Sequence, residues 1–225
     1  MSVAAPRIGS PAWWLARSVF DPLSRIHRMR VSGREHLATP GGLLIVSNHV
    51  SQKDPPFLGV AAVPRRIYYM AKSELFSIPL LGAFIRAQGA FPVRRGGADR
   101  DAIRTARAIL DRGDALLMFP EGTRSRDGRL GRGWPGAGAL GLAPGVTTVP
   151  AAIWGTQRGP FGPVRVAFGP PLELSDITGP RGRRSQEAAD RMMEAIAALL
   201  PSAGGPAGAA PSRSAEPPPP PSIDV

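Results

Sequence analysis

Residues 43–54 read Leu43-Leu44-Ile45-Val46-Ser47-Asn48-His49-Val50-Ser51-Gln52-Lys53-Asp54. The first four form a short apolar run suited to a strand buried on both faces, and a polar turn holding a histidine follows. In an α/β fold such a turn lies at the carboxyl edge of the sheet, where these folds keep their sites. The strand signal recurs on both sides of this stretch. Ile67 to Met70, Phe91 to Val93, Ala115 to Phe119, Thr147 to Ile153 and Val164 to Phe168 are apolar runs bounded by Gly, Pro or polar residues. Helical stretches lie between them. Asp99 to Arg112 places Ile103, Ala106 and Leu110 on one face and stops at Gly113; Ser185 to Leu200 gathers Met192, Ile196 and Leu199, with Ser185 as cap and Pro201 as stop. This alternation predicts a single α/β domain with a largely parallel mixed sheet flanked by helices.

The ends differ in kind. Residues 201–225 hold eight of the 26 prolines and almost nothing able to form a core, so a disordered Pro/Gly/Ala-rich tail is expected there. At the other end, residues 1–31 include Trp13, Trp14, Leu15, Val19 and Phe20 interleaved with Arg17 and followed by Arg25, Arg28 and Arg30. Two readings fit this segment: a helix packing its aromatic side on the domain, or an amphipathic interfacial segment whose rings lie at headgroup depth while arginine meets lipid phosphate. The expected organisation is therefore an interfacial segment over 1–31, the catalytic domain over 32–200 and the tail over 201–225. Neither a signal peptide nor a spanning helix is supported, because no long uncharged apolar run follows the short polar start.

Composition narrows the chemistry. There is no cysteine, which removes disulfides, thiolate nucleophiles and Cys-ligated metals, and only three histidines, His27, His36 and His49, can supply an imidazole. The net charge is +11, with 28 Lys and Arg against 17 Asp and Glu. The last 25 residues carry one Arg against one Glu and one Asp, which leaves +12 for residues 1–200. Such an excess favours polyanionic partners: an anionic membrane surface, a phosphorylated substrate or nucleic acid. Nucleic acid is disfavoured because the aromatics that would stack on bases are not interleaved with basic runs beyond Trp13. Gly136, Gly138 and Gly141 satisfy G-x-G-x-x-G, but no strand precedes them and no acidic ribose partner lies about 20 residues on. Neither a P-loop nor a G-x-S-x-G elbow is present.

What remains is His49 with Asp54. Pro55 biases Asp54 to an extended conformation, so the turn can fold the carboxylate onto the imidazole and leave the other ring nitrogen as a base. Equally, Asp54 could cap a helix starting at Pro55, with His49 an ordinary turn residue. Two more strand ends carry polar loops able to grip a phosphate: Gly89-Ala90-Phe91-Pro92-Val93-Arg94-Arg95-Gly96 and Phe119-Pro120-Glu121-Gly122-Thr123-Arg124-Ser125. Glu121 is the odd member, since a carboxylate repels phosphate unless it bonds a hydroxyl or orients an arginine. A fourth strand end, Val149-Pro150-Ala151-Ala152-Ile153, is apolar and reads equally as core.

Taken in order, NHVSQKD, GAFPVRRG, FPEGTRS and VPAAI resemble the four motif blocks of the glycerolipid acyltransferases typified by 1-acyl-sn-glycerol-3-phosphate acyltransferase, from about Gly33 to Pro171. The resemblance implies that family's α/β fold and transfer of a fatty acyl group from an acyl thioester to the free hydroxyl of 1-acyl-glycerol-3-phosphate, giving phosphatidic acid. It implies His49 as general base with Asp54 as partner. Arg95, Glu121, Gly122, Thr123 and Arg124 would hold the acceptor phosphate, and Pro150 would line the acyl-donor side. Where family members commonly carry a Phe-Lys pair after the third block, this chain has Gly133-Trp134.

A thioester is already activated, so a base and oxyanion donors suffice; no metal or cofactor is expected. The expected partners are acyl-CoA or acyl carrier protein as donor, lysophosphatidic acid or a related lysolipid as acceptor, and an anionic membrane surface. Peripheral attachment to the cytoplasmic face of the cell membrane follows from these. Another lipid acceptor (a lysophospholipid, an amino acid lipid or a glycolipid) would need the same chemistry.

Overall fold

The computed structural model of the chain describes residues 14, 18, 21, 22, 24–94, 99–125, 127–159 and 162–207. They build a seven-stranded mixed sheet from β1 (Arg30–Ser32), β2 (Gly42–Ser47), β3 (Ile67–Lys72), β4 (Ala90–Val93), β5 (Ala115–Met118), β6 (Val146–Trp154) and β7 (Arg165–Phe168), in the order β1-β7-β6-β2-β5-β3-β4. The five strands from β6 to β4 run parallel. β7 turns back antiparallel on β6, and β1 runs parallel to β7 at the edge. β2 lies at the centre, with Val46 opposite Met118 of β5 on one side and Pro150 of β6 on the other.

Alternation along β2 serves two cores. Leu43 and Ile45 pack with Phe57 and Leu58 of α1 (Asp54–Ala61). Leu44 and Val46 share the opposite core with α3 (Arg100–Asp111), α4 (Pro135–Gly141) and α5 (Arg181–Leu199). With every residue of β2 buried, a continuous apolar run, rather than an alternating one, is what a sheet covered on both faces requires. A further helix, α2 (Pro79–Ala87), connects β3 to β4 after a 3₁₀ turn over Ser73–Ser77.

Several local expectations shift. α3 is capped by Asp99, whose carboxylate accepts from the Asp101 and Ala102 amides, and ends before Gly113, which takes φ 79°. Its buried stripe is Ala102, Ala106, Ile109 and Leu110, whereas Ile103 is exposed; the i, i+4, i+7, i+8 spacing fits that stripe and puts Ile103 on its flank. α5 begins at Arg181, four residues before Ser185, which is buried inside the helix and is not its cap. The ladder extends over a solvent-facing first turn that carries no apolar signal. Gly138 explains one feature of the G-x-G-x-x-G decoy: a Cβ there would lie 1.9 Å from the Ser185 carbonyl oxygen, so its bare backbone lets α4 lie against α5.

β1 joins the sheet at Arg30, and residues 201–207 continue past α5 in turns with Ala203 buried. Of the N-terminal residues singled out from the sequence between 13 and 20, Trp14 is described and exposed, while Trp13, Leu15, Arg17, Val19 and Phe20 lie outside the described residues, as does the tail over 208–225. Among the described residues, no helix is long and apolar enough to cross a membrane.

Candidate active site

β2 ends at Ser47, and the turn that follows returns the chain into α1. Asp54 is the first residue of that helix, but its carboxylate points back over the turn. Oδ2 accepts the Val50 amide at 2.7 Å, the Ser51 amide at 2.8 Å and His49 Nδ1 at 2.8 Å. Capping of α1 by Asp54 is thereby replaced by capping of the turn. With two backbone amides already donating to this oxygen of a side chain with no solvent exposure, Oδ2 is the acceptor and His49 Nδ1 the donor of the third bond. The remaining nitrogen, Nε2, is then a lone-pair acceptor. The ring is also fixed in plane, stacked on Phe119 with centroids 4.0 Å apart and planes at 16°.

The backbone around His49 is fastened from the next strand. The His49 N–H donates to Glu121 Oε1 at 3.1 Å and its carbonyl accepts the Ser125 amide at 2.8 Å, so the loop after β5 clamps the turn on both sides. Glu121 Oε2 accepts the Gly131 amide at 2.9 Å. With 5% of its surface exposed, Glu121 is a buried brace between two loops. Its burial, offset in part by the two amide donors and reinforced by the charges of Asp54 and Asp127, pushes its pKa up to about 7. The odd carboxylate of the loop thus has a structural place that neither of the two sequence explanations foresaw.

The other expected site residues spread out. Gly122, Thr123 and Arg124 are exposed on the loop that holds Glu121. Arg95 lies outside the described residues; β4, which leads to it, ends on the same sheet edge as β2 and β5. Pro150 is not with them. It is buried within β6, near Gly169 and Leu199 on the α5 side of the sheet. Trp134 donates Nε1–H to the Glu121 carbonyl at 3.1 Å and stands over Gly122.

Two further side chains take parts that the sequence did not disclose. Asn48 forms a two-way amide pair with the backbone of Ile153, each bond 2.9 Å, and Thr156 donates its hydroxyl to Asp54 Oδ1 at 2.5 Å. These pairs span 105 and 102 residues and exist only once β6 lies beside β2.

A buried histidine–carboxylate pair at a strand end suits transfer from an activated donor, which needs a base rather than a covalent nucleophile. The Acyltransferase family model matches residues 28–154, more than half of the chain, and spans β1 through β6. The chain belongs to the acyltransferase family. The 1-acyl-sn-glycerol-3-phosphate acyltransferase of Bacillus subtilis is 35% identical to this acyltransferase over 154 residues, 66% of this chain and 76% of that protein. A Streptococcus pneumoniae protein of the same name is 33% identical over 60% of this chain and 51% of its own length. The lyso-ornithine lipid O-acyltransferase of Pseudomonas aeruginosa is 36% identical over 63% of this chain and 52% of its own. Among solved structures, the 1-acyl-sn-glycerophosphate acyltransferase of Thermotoga maritima shares the fold, with a TM-score of 0.56 at 24% identity over 80% of this chain and 81% of that one.

Proposed function

We propose that the protein acylates the free hydroxyl of 1-acyl-glycerol-3-phosphate with an acyl group from acyl-CoA or acyl carrier protein, giving phosphatidic acid. The buried His49–Asp54 pair at the carboxyl edge of the parallel strands carries this reading. Nε2 takes the hydroxyl proton as the oxygen attacks the thioester carbonyl. The tetrahedral intermediate collapses with cleavage of the C–S bond, and the imidazolium returns the proton to the departing thiolate. Asp54 stabilises the transient imidazolium. Arg124, on the loop after β5, and Arg95, which follows β4 in the chain, would grip the acceptor phosphate and aim its hydroxyl at Nε2. No cofactor is called for.

The acceptor is a membrane amphiphile, and the chain carries a surface suited to reaching it. Leu75, Ile78, Leu80 and Leu81 are exposed on the connection that leaves β3 at the edge bearing His49, with Leu80 at 89%. From 75 to 85 there is no charged residue. These side chains would enter the interface of an anionic leaflet, together with the N-terminal aromatic segment, and hold the protein peripherally on the cytoplasmic face.

The relative named for lyso-ornithine lipid, together with Trp134 where the family commonly has a lysine, favours one second reading: the same transfer to an amino acid lipid. Incubating the purified full chain with acyl-CoA and vesicles holding either acceptor, with products read by mass spectrometry, separates the two. Phosphatidic acid formation supports the first, and acylation confined to the lyso amino acid lipid replaces it with the second. His49→Ala should lower kcat by roughly 100-fold or more with acceptor KM little changed, and Arg95→Ala should raise acceptor KM by about tenfold. Near-parent turnover by a folded His49→Ala removes the base assignment.

A further inference from the structure

The carboxylate of Asp54 is unevenly served. Oδ2 takes three donors, whereas Oδ1 is met, among the described residues, by the Thr156 hydroxyl alone. At 2.5 Å the contact lies at the short end for O–H···O⁻ bonds. Thr156 itself is completely buried. Since the carboxylate offers only acceptors, the hydroxyl must be the donor.

We propose that Thr156 is a positioning residue for the acyl transfer, its hydroxyl pinning the far oxygen of Asp54 so that the near oxygen stays turned onto His49 Nδ1. The proposal rests on the reading of His49 as the base. A carboxylate turns about its last side-chain torsion in a broad well, and two amides on one oxygen fix a pivot rather than an orientation. A donor on the second oxygen removes the swing. Thr156 can serve because its own position is fixed: a β-branched side chain is stiff at χ1, and the Asn48–Ile153 amide pair ties the end of β6 to the turn three residues earlier. Removing the hydroxyl would also leave Oδ1 as an unpaired acceptor on a side chain with no solvent exposure, which favours a carboxylate rotated away from the imidazole.

The charged neighbours supply no substitute. Glu121, from the loop after β5, has both oxygens on backbone amides. Lys53 directs Nζ to the Arg158 carbonyl at 3.3 Å. Arg124 and Asp127 are exposed on the β5 loop, and the Arg158 side chain is exposed after β6.

The test uses the full chain with Thr156→Val, which keeps the shape and deletes the donor, and Thr156→Ser, which keeps the donor. The valine variant should lose about tenfold or more in kcat, with both KM values within about threefold of the parent, while the serine variant keeps kcat within about threefold. A spectroscopic signature accompanies this. With only three histidines, the proton on His49 Nδ1 can be assigned in ¹⁵N-histidine-labelled protein by its loss in His49→Ala. It should stay sharp and downfield in the parent and in Thr156→Ser, and broaden or move upfield in Thr156→Val. A merely structural threonine would lower the melting temperature and leave the proton signal and the kcat of folded protein unchanged. That outcome overturns the proposal, as does a serine variant as impaired as the valine one. If Thr156→Val does not fold, Thr156→Cys supplies the same comparison with a much weaker donor. Parent-like turnover by His49→Ala would sink the base reading and this proposal together; an inactive His49→Ala beside a parent-like Thr156→Val removes Thr156 alone.

Discussion

Glu121 makes the pH dependence of stability a direct test of the buried brace. Its carboxyl is 5% exposed and pushed from an ordinary value of 4.5 up to about 7, chiefly by burial. The folded protein therefore holds this proton more tightly than the unfolded chain, so protonation favours folding. The contribution is fully present below about pH 4.5 and is lost as pH rises to about 7. At about 1.4 kcal/mol per pH unit over that interval, the loss is about 3 kcal/mol. Every other titrating group is common to parent and variant, so Glu121→Gln isolates the effect. Glutamine cannot accept from both amides, since one of its two terminal atoms is a donor, and the variant should be less stable at low pH by a margin that does not itself titrate. Urea unfolding of both proteins at half-unit steps from pH 4 to 8 gives the difference curve. Relative to Glu121→Gln, the parent should lose about 3 kcal/mol between pH 4.5 and 7.5. A flat difference curve would show that Glu121 titrates as an ordinary carboxyl and that burial is not what shifts it.

Two other substitutions probe distant parts of the same design. Leu80→Asp should weaken binding to anionic vesicles roughly tenfold in a flotation assay while leaving turnover on detergent-dispersed acceptor near the parent's, since it removes one fully insertable leucine; undiminished flotation would take the β3–β4 connection off the membrane. Gly138→Ala puts a Cβ 1.9 Å from the Ser185 carbonyl oxygen and should cost about 1–3 kcal/mol, read as a lower melting temperature. An unchanged melting temperature would mean that α4 and α5 are not locked at this contact.

The residues readable in advance are those whose partners are near in the chain. The six apolar runs all become strands, the signature being most continuous in β2, which is buried on both faces. β1 gave no such signal: Arg30–Ser32 is a short edge strand with two exposed positions, and its register is set by β7, 135 residues downstream. His49 and Asp54 are five residues apart, so one turn can join them, and the sequence suffices to suspect the pair. The bracing role of Glu121 could not be inferred from its loop, because the amides that occupy its oxygens belong to His49, 72 residues before it, and to Gly131, ten residues after it.

The central place of β2 gives these long-range contacts a common logic. On its β5 side, Glu121 and Ser125 hold the His49 backbone by its N–H and its carbonyl; on its β6 side, Ile153 holds Asn48 and Thr156 holds Asp54. One neighbour fixes where His49 stands, and the other fixes the carboxylate hydrogen-bonded to its ring. Parallel strands make this division possible, since three consecutive carboxyl ends emerge side by side and each can lend a loop to the one in the middle. It follows that the two sides should fail differently. Under the proposed grip of the acceptor phosphate by Arg124, loosening the β5 side displaces the imidazole relative to the acceptor and should disturb acceptor KM along with kcat. Loosening the β6 side spares that proposed grip and acts through the carboxylate, so its defect should fall in kcat alone.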